Sequence, residues 1–373
     1  MADLFEPTSI NGMRLANHFV RSATWEGMAD IDGTVTTRLI DMMVELAKGE
    51  VGLIISGHAF VRPEGQVSPR QLAVYEERFL PRLQDMARAV HSVGGKIALQ
   101  LAHGGCRASS ELSGLIPLGP STVEKDGQPI CRMATLEDIA SVASAFAGSA
   151  ELAKQAGFDA VQIHAAHGFL LSQFLSPEFN KRSDKYGGEL VNRARLLLEV
   201  VRGVRAAVGP DYPILIKINS EDFLDDGMSY TEAVEVSGLL EKASIDAIEF
   251  SGGTALSPEK FLPVRPGILK TPAKEVYYRK AARLYKQKVT IPLILVGGIR
   301  SYEVAEELVQ DGTADYISMS RPLICEPELV KRWREGDRRK AECVSDNACF
   351  APGLDGRGIY CVTMAKKRSK NAQ

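Results

Sequence analysis

The chain has 373 residues, of which 45% are hydrophobic and 25% charged, and its formal net charge is −2. This composition is that of a globular protein, and the near-zero charge gives no basis for nucleic-acid or acidic-membrane partners. Residues 1–7 lack the basic and apolar regions of a signal peptide, and no apolar run is long enough to span a bilayer. We therefore expect a cytoplasmic protein whose six cysteines are reduced.

Short apolar runs alternate with longer amphipathic stretches along the chain. The opening segment, 7–17, predicts a hairpin centred on Asn11-Gly12. Eight apolar runs then predict buried strands over 19–22, 51–56, 96–101, 159–164, 213–218, 246–251, 292–297 and 315–320. Helices are predicted between them over 36–48, 79–93, 136–156, 190–208, 230–243, 274–287 and 301–311.

Eight strands that alternate with helices predict an α/β fold, a (β/α)8 TIM barrel with an N-terminal β-hairpin. A doubly wound sheet fits less well, because no Gly-x-Gly-x-x-Gly turn follows the first strand. Long segments after strands three, four and six are typical of functional loops. We expect the barrel to occupy residues 1–340. Residues 341–373 would form an extension that packs on the barrel or trails from it, with a frayed tail over 365–373.

Polar, small or basic residues follow nearly every predicted strand. In this fold the chemistry takes place at the C-terminal ends of the strands, so these residues are expected to meet at one mouth of the barrel. In chain order, the residues are Ser22, Ala23, Thr24, His58, Gln100, His103, His164, His167, Lys217, Ser251, Gly297, Gly298, Ser320 and Arg321.

Glycines and an arginine end strands seven and eight, where barrels commonly bind phosphate. Gly297-Gly298 and Ser320-Arg321 offer backbone N–H groups and a guanidinium, which predicts a phosphorylated cofactor or substrate. The alternative is that the two glycines only turn the chain.

Gln100 and Lys217 are candidates for contacting the ring of a cofactor. The Gln100 amide is both donor and acceptor, which suits a pyrimidine-like edge. The Lys217 ammonium would stabilise an anionic reduced cofactor. Its alternative role is an ion pair with Glu221 or Asp222.

His164 and His167 lie three residues apart at the end of strand four. They are predicted to donate two hydrogen bonds to an anion or a carbonyl. A metal site with His103 is the alternative. It is weakened because no aspartate or glutamate stands nearby in a familiar zinc spacing, so no metal is expected.

A long motif surrounds these histidines: His164-Ala-Ala-His-Gly-Phe-Leu-Leu-Ser-Gln-Phe-Leu-Ser-Pro177, followed by Asn180, Arg182-Ser-Asp184, Tyr186-Gly-Gly188 and Asn192-Arg-Ala-Arg195. With the strand ends, the motif resembles the Old Yellow Enzyme family of FMN-dependent ene-reductases. The resemblance is to the bacterial branch with 2,4-dienoyl-CoA reductase-like barrels, over residues 3–340. It implies FMN, NADH or NADPH as reductant, a small-molecule acceptor and a homo-oligomer.

The resemblance also implies a role for each site residue. Ser22, Ala23 and Thr24 would run under the flavin, with His58 among the contacts. Gln100 and Lys217 would meet its pyrimidine edge, where Lys217 replaces the family's usual arginine. Gly297, Gly298, Ser320 and Arg321 would hold the phosphate, and His164 and His167 would bind the substrate carbonyl.

Phe169 departs from the family at a catalytic position. Two residues after the second histidine, the family usually has a tyrosine that protonates the substrate, and general acid catalysis typically contributes ~10²–10⁴-fold. Three interpretations follow. Water, Cys106 or Tyr186 donates instead; the acceptor, such as a quinone, needs no such proton; or the chain runs another flavin reaction. That last class includes a dehydrogenase that oxidises its own substrate and an FMN-binding redox sensor with little turnover.

The C-terminal cysteines are a second departure. Relatives with a 4Fe–4S cluster carry four cysteines after the barrel, whereas this chain has Cys343, Cys349 and Cys361 at altered spacing, with Asp346 where another would stand. No iron–sulfur cluster is therefore expected.

Overall fold

The computed structural model describes residues 3–269 and 271–371. Its strands are β1 Thr8–Ile10, β2 Met13–Leu15, β3 Phe19–Arg21, β4 Leu53–Phe60, β5 Ile97–Ala102, β6 Leu118–Gly119, β7 Val123–Lys125, β8 Gln128–Met133, β9 Ala160–Ala165, β10 Ile214–Asn219, β11 Ala247–Ser251, β12 Leu293–Val296 and β13 Tyr316–Met319. Its helices are α1 Thr37–Lys48, α2 Leu80–Ser92, α3 Ser110–Ser113, α4 Leu136–Gln155, α5 Leu170–Leu175, α6 Leu190–Arg193, α7 Arg195–Val208, α8 Tyr230–Lys242, α9 Arg279–Lys288, α10 Tyr302–Gln310, α11 Arg321–Cys325, α12 Leu329–Arg334, α13 Ala351–Leu354 and α14 Val362–Asn371.

Eight parallel strands close into a barrel in the order β10-β11-β12-β13-β3-β4-β5-β9. All eight predicted strands are present, and the (β/α)8 prediction is confirmed. Every residue of β5, β9 and β10 is buried, because side chains fill the barrel on one face and helices cover the other. The predicted helices are also found, although the stretch over 190–208 divides into α6 and α7.

The N-terminal hairpin is confirmed. β1 pairs with β2 in antiparallel register, with Thr8 opposite Leu15. Asn11 and Gly12 have φ values of 42° and 77°. The turn therefore needs two residues that tolerate the left-handed region, which explains the Asn-Gly pair.

The loop after the third barrel strand is more ordered than its sequence suggests. It carries a three-stranded sheet of β6, β8 and β7, and β8 brings Cys131 to a Cα–Cα distance of 5.1 Å from Cys106, where the two form a disulfide. The expectation that all cysteines are reduced is thus wrong for this pair. The reason is tertiary, because only the folded insert brings two cysteines 25 residues apart together.

The C-terminal segment packs against the barrel. The Ile359 N–H donates to the Glu26 carbonyl over 2.9 Å, and Gly353 lies against the Trp25 ring. The expected frayed tail is wrong as far as residue 371, because α14 continues the chain as a helix; residues 372–373 lie outside the described residues. The division of the chain at residue 340 stays a prediction. Within the described ranges, no helix is long and apolar enough to cross a membrane.

Candidate active site

Two adjoining cavities lie where the barrel strands end. The larger, of about 400 Å³, is lined by ten predicted site residues: Ser22, Ala23, Thr24, His58, Gln100, His164, His167, Phe169, Lys217 and Ser320. The smaller, of about 70 Å³, is lined by Gly297, Gly298, Ser320 and Arg321. The fold therefore brings together all thirteen residues singled out for catalysis and cofactor binding, because parallel strands end on one side of the barrel.

The two histidines of the motif are held differently. Their ring centroids are 5.3 Å apart. His167 has a φ of 61°, and its backbone N–H donates to Asn219 Oδ1 over 2.9 Å while its Nε2 bonds to Ser251 Oγ over 2.7 Å. His164 Nδ1 is buried and has no hydrogen-bond partner among residues 3–269 and 271–371. One imidazole is thus fixed by its neighbours, while the other retains an unused polar atom inside the site.

Burial keeps the histidines of the cavity neutral. Loss of hydration lowers the pKa of His164 and of His167 well below the usual value, and the nearby Lys217 and Arg107 charges lower each further. The same causes lower the pKa of His58 to about 3. Near neutral pH these rings are therefore uncharged hydrogen-bonding groups, and they suit a carbonyl or phenolate without adding fixed charge.

These depressed pKa values predict a loss of stability in acid. Below a pH of about 6.5 the unfolded chain binds a proton on each histidine, whereas the folded chain does not. The free energy of unfolding should therefore fall with pH by about 1.4 kcal/mol per unit for each such histidine. Urea unfolding at pH 7.5 and 5.5 checks this. His58→Gln should lose less stability than the native chain between these two pH values. An equal loss in both would contradict the prediction.

Phe169 fills the place where the family acid is expected. Its ring centroid lies 4.3 Å from that of His164, and the side chain is 5% exposed. Neither protein donor suggested from the sequence can replace it. Cys106 is bonded to Cys131, and the Tyr186 hydroxyl donates to Glu199 over 3.1 Å. Since neither residue lines the cavity, both interpretations are wrong.

Lys217 has a different ion-pair partner from those predicted. Its Nζ lies 3.3 Å from Glu249 Oε2 and donates to Ser22 Oγ over 2.7 Å, so Glu221 and Asp222 are not its partners. Burial lowers the pKa of Lys217, and the Glu249 charge opposes that effect. Sequence reasoning missed Glu249 because a carboxylate within a buried strand gives no sign of where it points.

The smaller cavity depends on glycine. Gly297 and Gly298 have φ values of 127° and 77°, and a Cβ on Gly298 would lie 2.6 Å from the Tyr277 ring. A side chain there is excluded both by conformation and by space. Arg321 borders this cavity, where the Arg265 carbonyl and Asn347 Oδ1 accept from its Nη1 over 2.9 and 2.7 Å.

Three aromatic or charged residues of the larger cavity lie outside the thirteen singled out from the sequence. Trp25 and Phe350 contribute aromatic walls, and Arg107 contributes a guanidinium that donates to the His167 carbonyl over 2.5 Å. Trp25 directly follows the predicted Thr24, and Arg107 lies in the loop after β5. Their nearness to a strand end was therefore a weak indication that both could reach the site. Phe350 gave none, because it reaches the site only through the packing of the C-terminal segment.

Four cysteines line a separate cavity of about 10 Å³: Cys325, Cys343, Cys349 and Cys361. Cys325, from α11, was missed. A hydrogen bond from Cys325 lowers the pKa of Cys361 to about 6. Asp346 also lines this cavity, and the fold brings a fourth cysteine, Cys325, to the three that were considered from the sequence. Over residues 3–269 and 271–371, no three His, Cys, Asp or Glu side chains are grouped to hold a metal ion. The absence of a cluster stays a prediction.

Residues 3–340 match the sequence model of the NADH:flavin oxidoreductase / NADH oxidase family. The chain belongs to this family. This membership confirms the resemblance to Old Yellow Enzyme, a family of FMN-dependent oxidoreductases that use NADH or NADPH.

Individual relatives agree with the family assignment. The chain is 35% identical to the NADH oxidase of Thermoanaerobacter brockii, covering 92% of this chain and 53% of that protein. It is 31% identical to the 4,4'-dithiodibutanoate disulfide reductase of Rhodococcus erythropolis, covering 93% and 92%. A solved 2-naphthoyl-CoA reductase superposes with a TM-score of 0.87 at 29% identity, covering 96% of this chain and 56% of the other. The chain thus spans about half the length of some of its curated relatives.

The donor set of the two cavities fits FMN. The larger cavity has room for a ring system. The adjoining cavity suits a phosphate, because backbone of the two glycines and Arg321 line it. Two buried polar atoms in the larger cavity, His58 Nε2 and His164 Nδ1, have no partner in the part of the chain that the structure describes. Buried polar atoms are normally paired, so their state indicates that a ligand completes the site.

Proposed function

We propose that this protein is an NAD(P)H-dependent FMN oxidoreductase that reduces an electron-poor acceptor such as an activated alkene or a quinone. The observation that carries the proposal is the convergence of all predicted flavin and substrate residues on two adjoining cavities, with a pair of neutral histidines facing the larger one. A cytoplasmic location and a homo-oligomeric state, expected from the sequence, remain predictions.

The protein's own residues have separate tasks in this proposal. FMN, when bound, would supply hydride transfer between NAD(P)H and the acceptor. His164 and His167 hold the acceptor carbonyl and stabilise the negative charge that develops on its oxygen. Ser22, Ala23, Thr24 and His58 would border the flavin. Gln100 and Lys217 would meet its pyrimidine edge, and Gly297, Gly298, Ser320 and Arg321 would hold the phosphate. Phe169 keeps water from His164 but supplies no proton.

Steady-state assays with NADH and NADPH against cyclohexenone, a quinone and oxygen test this function. We expect turnover with at least one acceptor, and faster turnover with the quinone than with the enone because no acid stands at residue 169. Reduction by an amine or a saturated ring compound, but not by NAD(P)H, would instead support a dehydrogenase. Negligible turnover with every partner would support a redox sensor.

We further propose that the acceptor carries a carboxylate, which Arg107 binds. Arg107 is anchored through Nη1 to the His167 carbonyl, and its guanidinium carbon lies 5.1 Å from the Phe169 ring centroid. Among the described residues, no aspartate or glutamate lines the larger cavity, and Glu249 already balances Lys217. Arg107 is therefore an uncompensated positive charge beside the histidine pair, a position that favours an anionic group. The names of two relatives, cinnamate reductase and 4,4'-dithiodibutanoate disulfide reductase, also describe carboxylates.

Arg107→Gln should weaken the binding of carboxylate acceptors selectively. A hydrogen bond to a charged group contributes ~1.5–3 kcal/mol, so KM for cinnamate should rise about 10- to 100-fold. KM for methyl cinnamate should change little, and Arg107→Lys should retain most of the preference. The rate of reduction by NAD(P)H, measured separately, controls for a role in binding the nucleotide phosphates. Equal changes for acid and ester would contradict the carboxylate proposal.

A further inference from the structure

One buried carboxylate connects three of the six proposed flavin-ring contacts. Glu249 lies on β11, is fully buried and does not line either cavity. Its Oε1 accepts from Ser22 Oγ over 2.7 Å and from Ser318 Oγ over 2.8 Å, while its Oε2 accepts from Gln162 Nε2 over 2.8 Å. A carboxylate with this many short contacts from different strands has one well-defined position.

Through these contacts Glu249 reaches three residues that border the larger cavity. It contacts Ser22 directly and lies 3.3 Å from Lys217 Nζ. It reaches Gln100 through Gln162, whose Oε1 accepts from Gln100 Nε2 over 2.7 Å. One side chain directly after β3 and two on β5 and β10 are thereby fixed relative to one another by a group that lines neither cavity.

We propose that Glu249 is a positioning residue for Ser22, Gln100 and Lys217 and that its negative charge lowers the reduction potential of the bound flavin. This inference rests on the proposed function. Reduction adds negative charge to the ring system, which a cation at its pyrimidine edge stabilises. Glu249 balances that cation, so the native pair has almost no net charge and favours the reduced state less than a free lysine would.

Replacing each charged residue of the pair by neutral glutamine should shift the reduction potential in opposite directions. Glu249→Gln keeps the shape and most hydrogen-bonding capacity but leaves Lys217 unbalanced, so the potential should rise. Lys217→Gln should lower it, and the double variant should return it close to the native value. A tenfold change in the relative affinity for reduced and oxidised FMN corresponds to about 30 mV for a two-electron couple. We expect each single variant to shift the potential by at least that amount at neutral pH.

Potentiometric titration of the FMN-loaded proteins against reference dyes measures these shifts, and fluorescence quenching gives the FMN Kd. Glu249→Asp keeps the charge but shortens the side chain, so it should weaken FMN binding and leave the potential nearly unchanged. If Glu249→Gln fails to fold, the double variant replaces it and must have a higher potential than Lys217→Gln.

Equal potentials in FMN-loaded native protein and Glu249→Gln would overturn this inference and leave the proposed function intact. A potential that falls in both single variants would also overturn it. A merely structural defect would shift the potential without regard to the sign of the charge removed. A native protein that cannot bind FMN would overturn the proposed function, and this inference with it.

Discussion

Phe169→Tyr is expected to accelerate alkene reduction at least tenfold and to leave the FMN content unchanged. The substitution adds one hydroxyl to a ring that already lies against His164 in the larger cavity. A positioned general acid contributes ~10²–10⁴-fold, so the gain has that range as its ceiling. Reduction by NAD(P)H needs no proton from residue 169 and should not change. Stopped-flow measurement of reoxidation by cyclohexenone gives the rate.

Two controls make this prediction specific. Reoxidation by a quinone should be the same in Phe169→Tyr as in the native protein, because that acceptor needs no proton at carbon. Tyr186→Phe should leave both rates unchanged, since its hydroxyl is bonded to Glu199 outside the cavity. If the tyrosine variant reduces the enone no faster, the missing-acid explanation fails.

Removing either histidine of the pair is expected to be the most damaging change for the acceptor. A donor that stabilises a developing oxyanion typically contributes about 10²–10³-fold. His164→Ala and His167→Ala should each slow reoxidation by cyclohexenone within that range. The double variant should lose less than the product, because the two rings act on one oxygen. Rapid-mixing experiments that separate the two half-reactions measure the effect.

The expected defect is confined to the acceptor. Reduction by NAD(P)H should fall less, FMN content should stay constant, and binding of a phenol such as 4-hydroxybenzaldehyde should weaken in both variants. His164→Asn retains an N–H donor and should recover part of the rate, and exposed His91→Gln should behave like the native protein. A native reoxidation rate in His164→Ala would exclude the proposed role of the pair.

The predictable parts of the fold are those with a distinctive local sequence pattern. The barrel strands are buried on both faces, so they read as unbroken apolar runs, and the Asn11-Gly12 turn has a backbone that few other residues adopt. The sheet of β6, β7 and β8 was not predicted, since its short strands are stabilised by each other and by the Cys106–Cys131 bond rather than by their own pattern.

The site residues also divide into those that the sequence could predict and those that it could not. Residues at strand ends, such as His164 and Lys217, could be predicted because the topology of a parallel barrel fixes where strand ends lie. Glu249, Phe350 and Cys325 could not. Their positions depend on which face of a buried strand a side chain occupies, or on how the C-terminal segment packs, and neither is encoded in local sequence.

The most direct test of the central claim is the visible absorption spectrum of the purified protein, recorded anaerobically while NADPH or NADH is added and an acceptor follows. We expect an oxidised-flavin spectrum that bleaches with the nucleotide and recovers with a quinone or cyclohexenone. A yellow protein that neither nucleotide bleaches would contradict the reductase assignment. A colourless protein that cannot be reconstituted with FMN would contradict the flavin site itself.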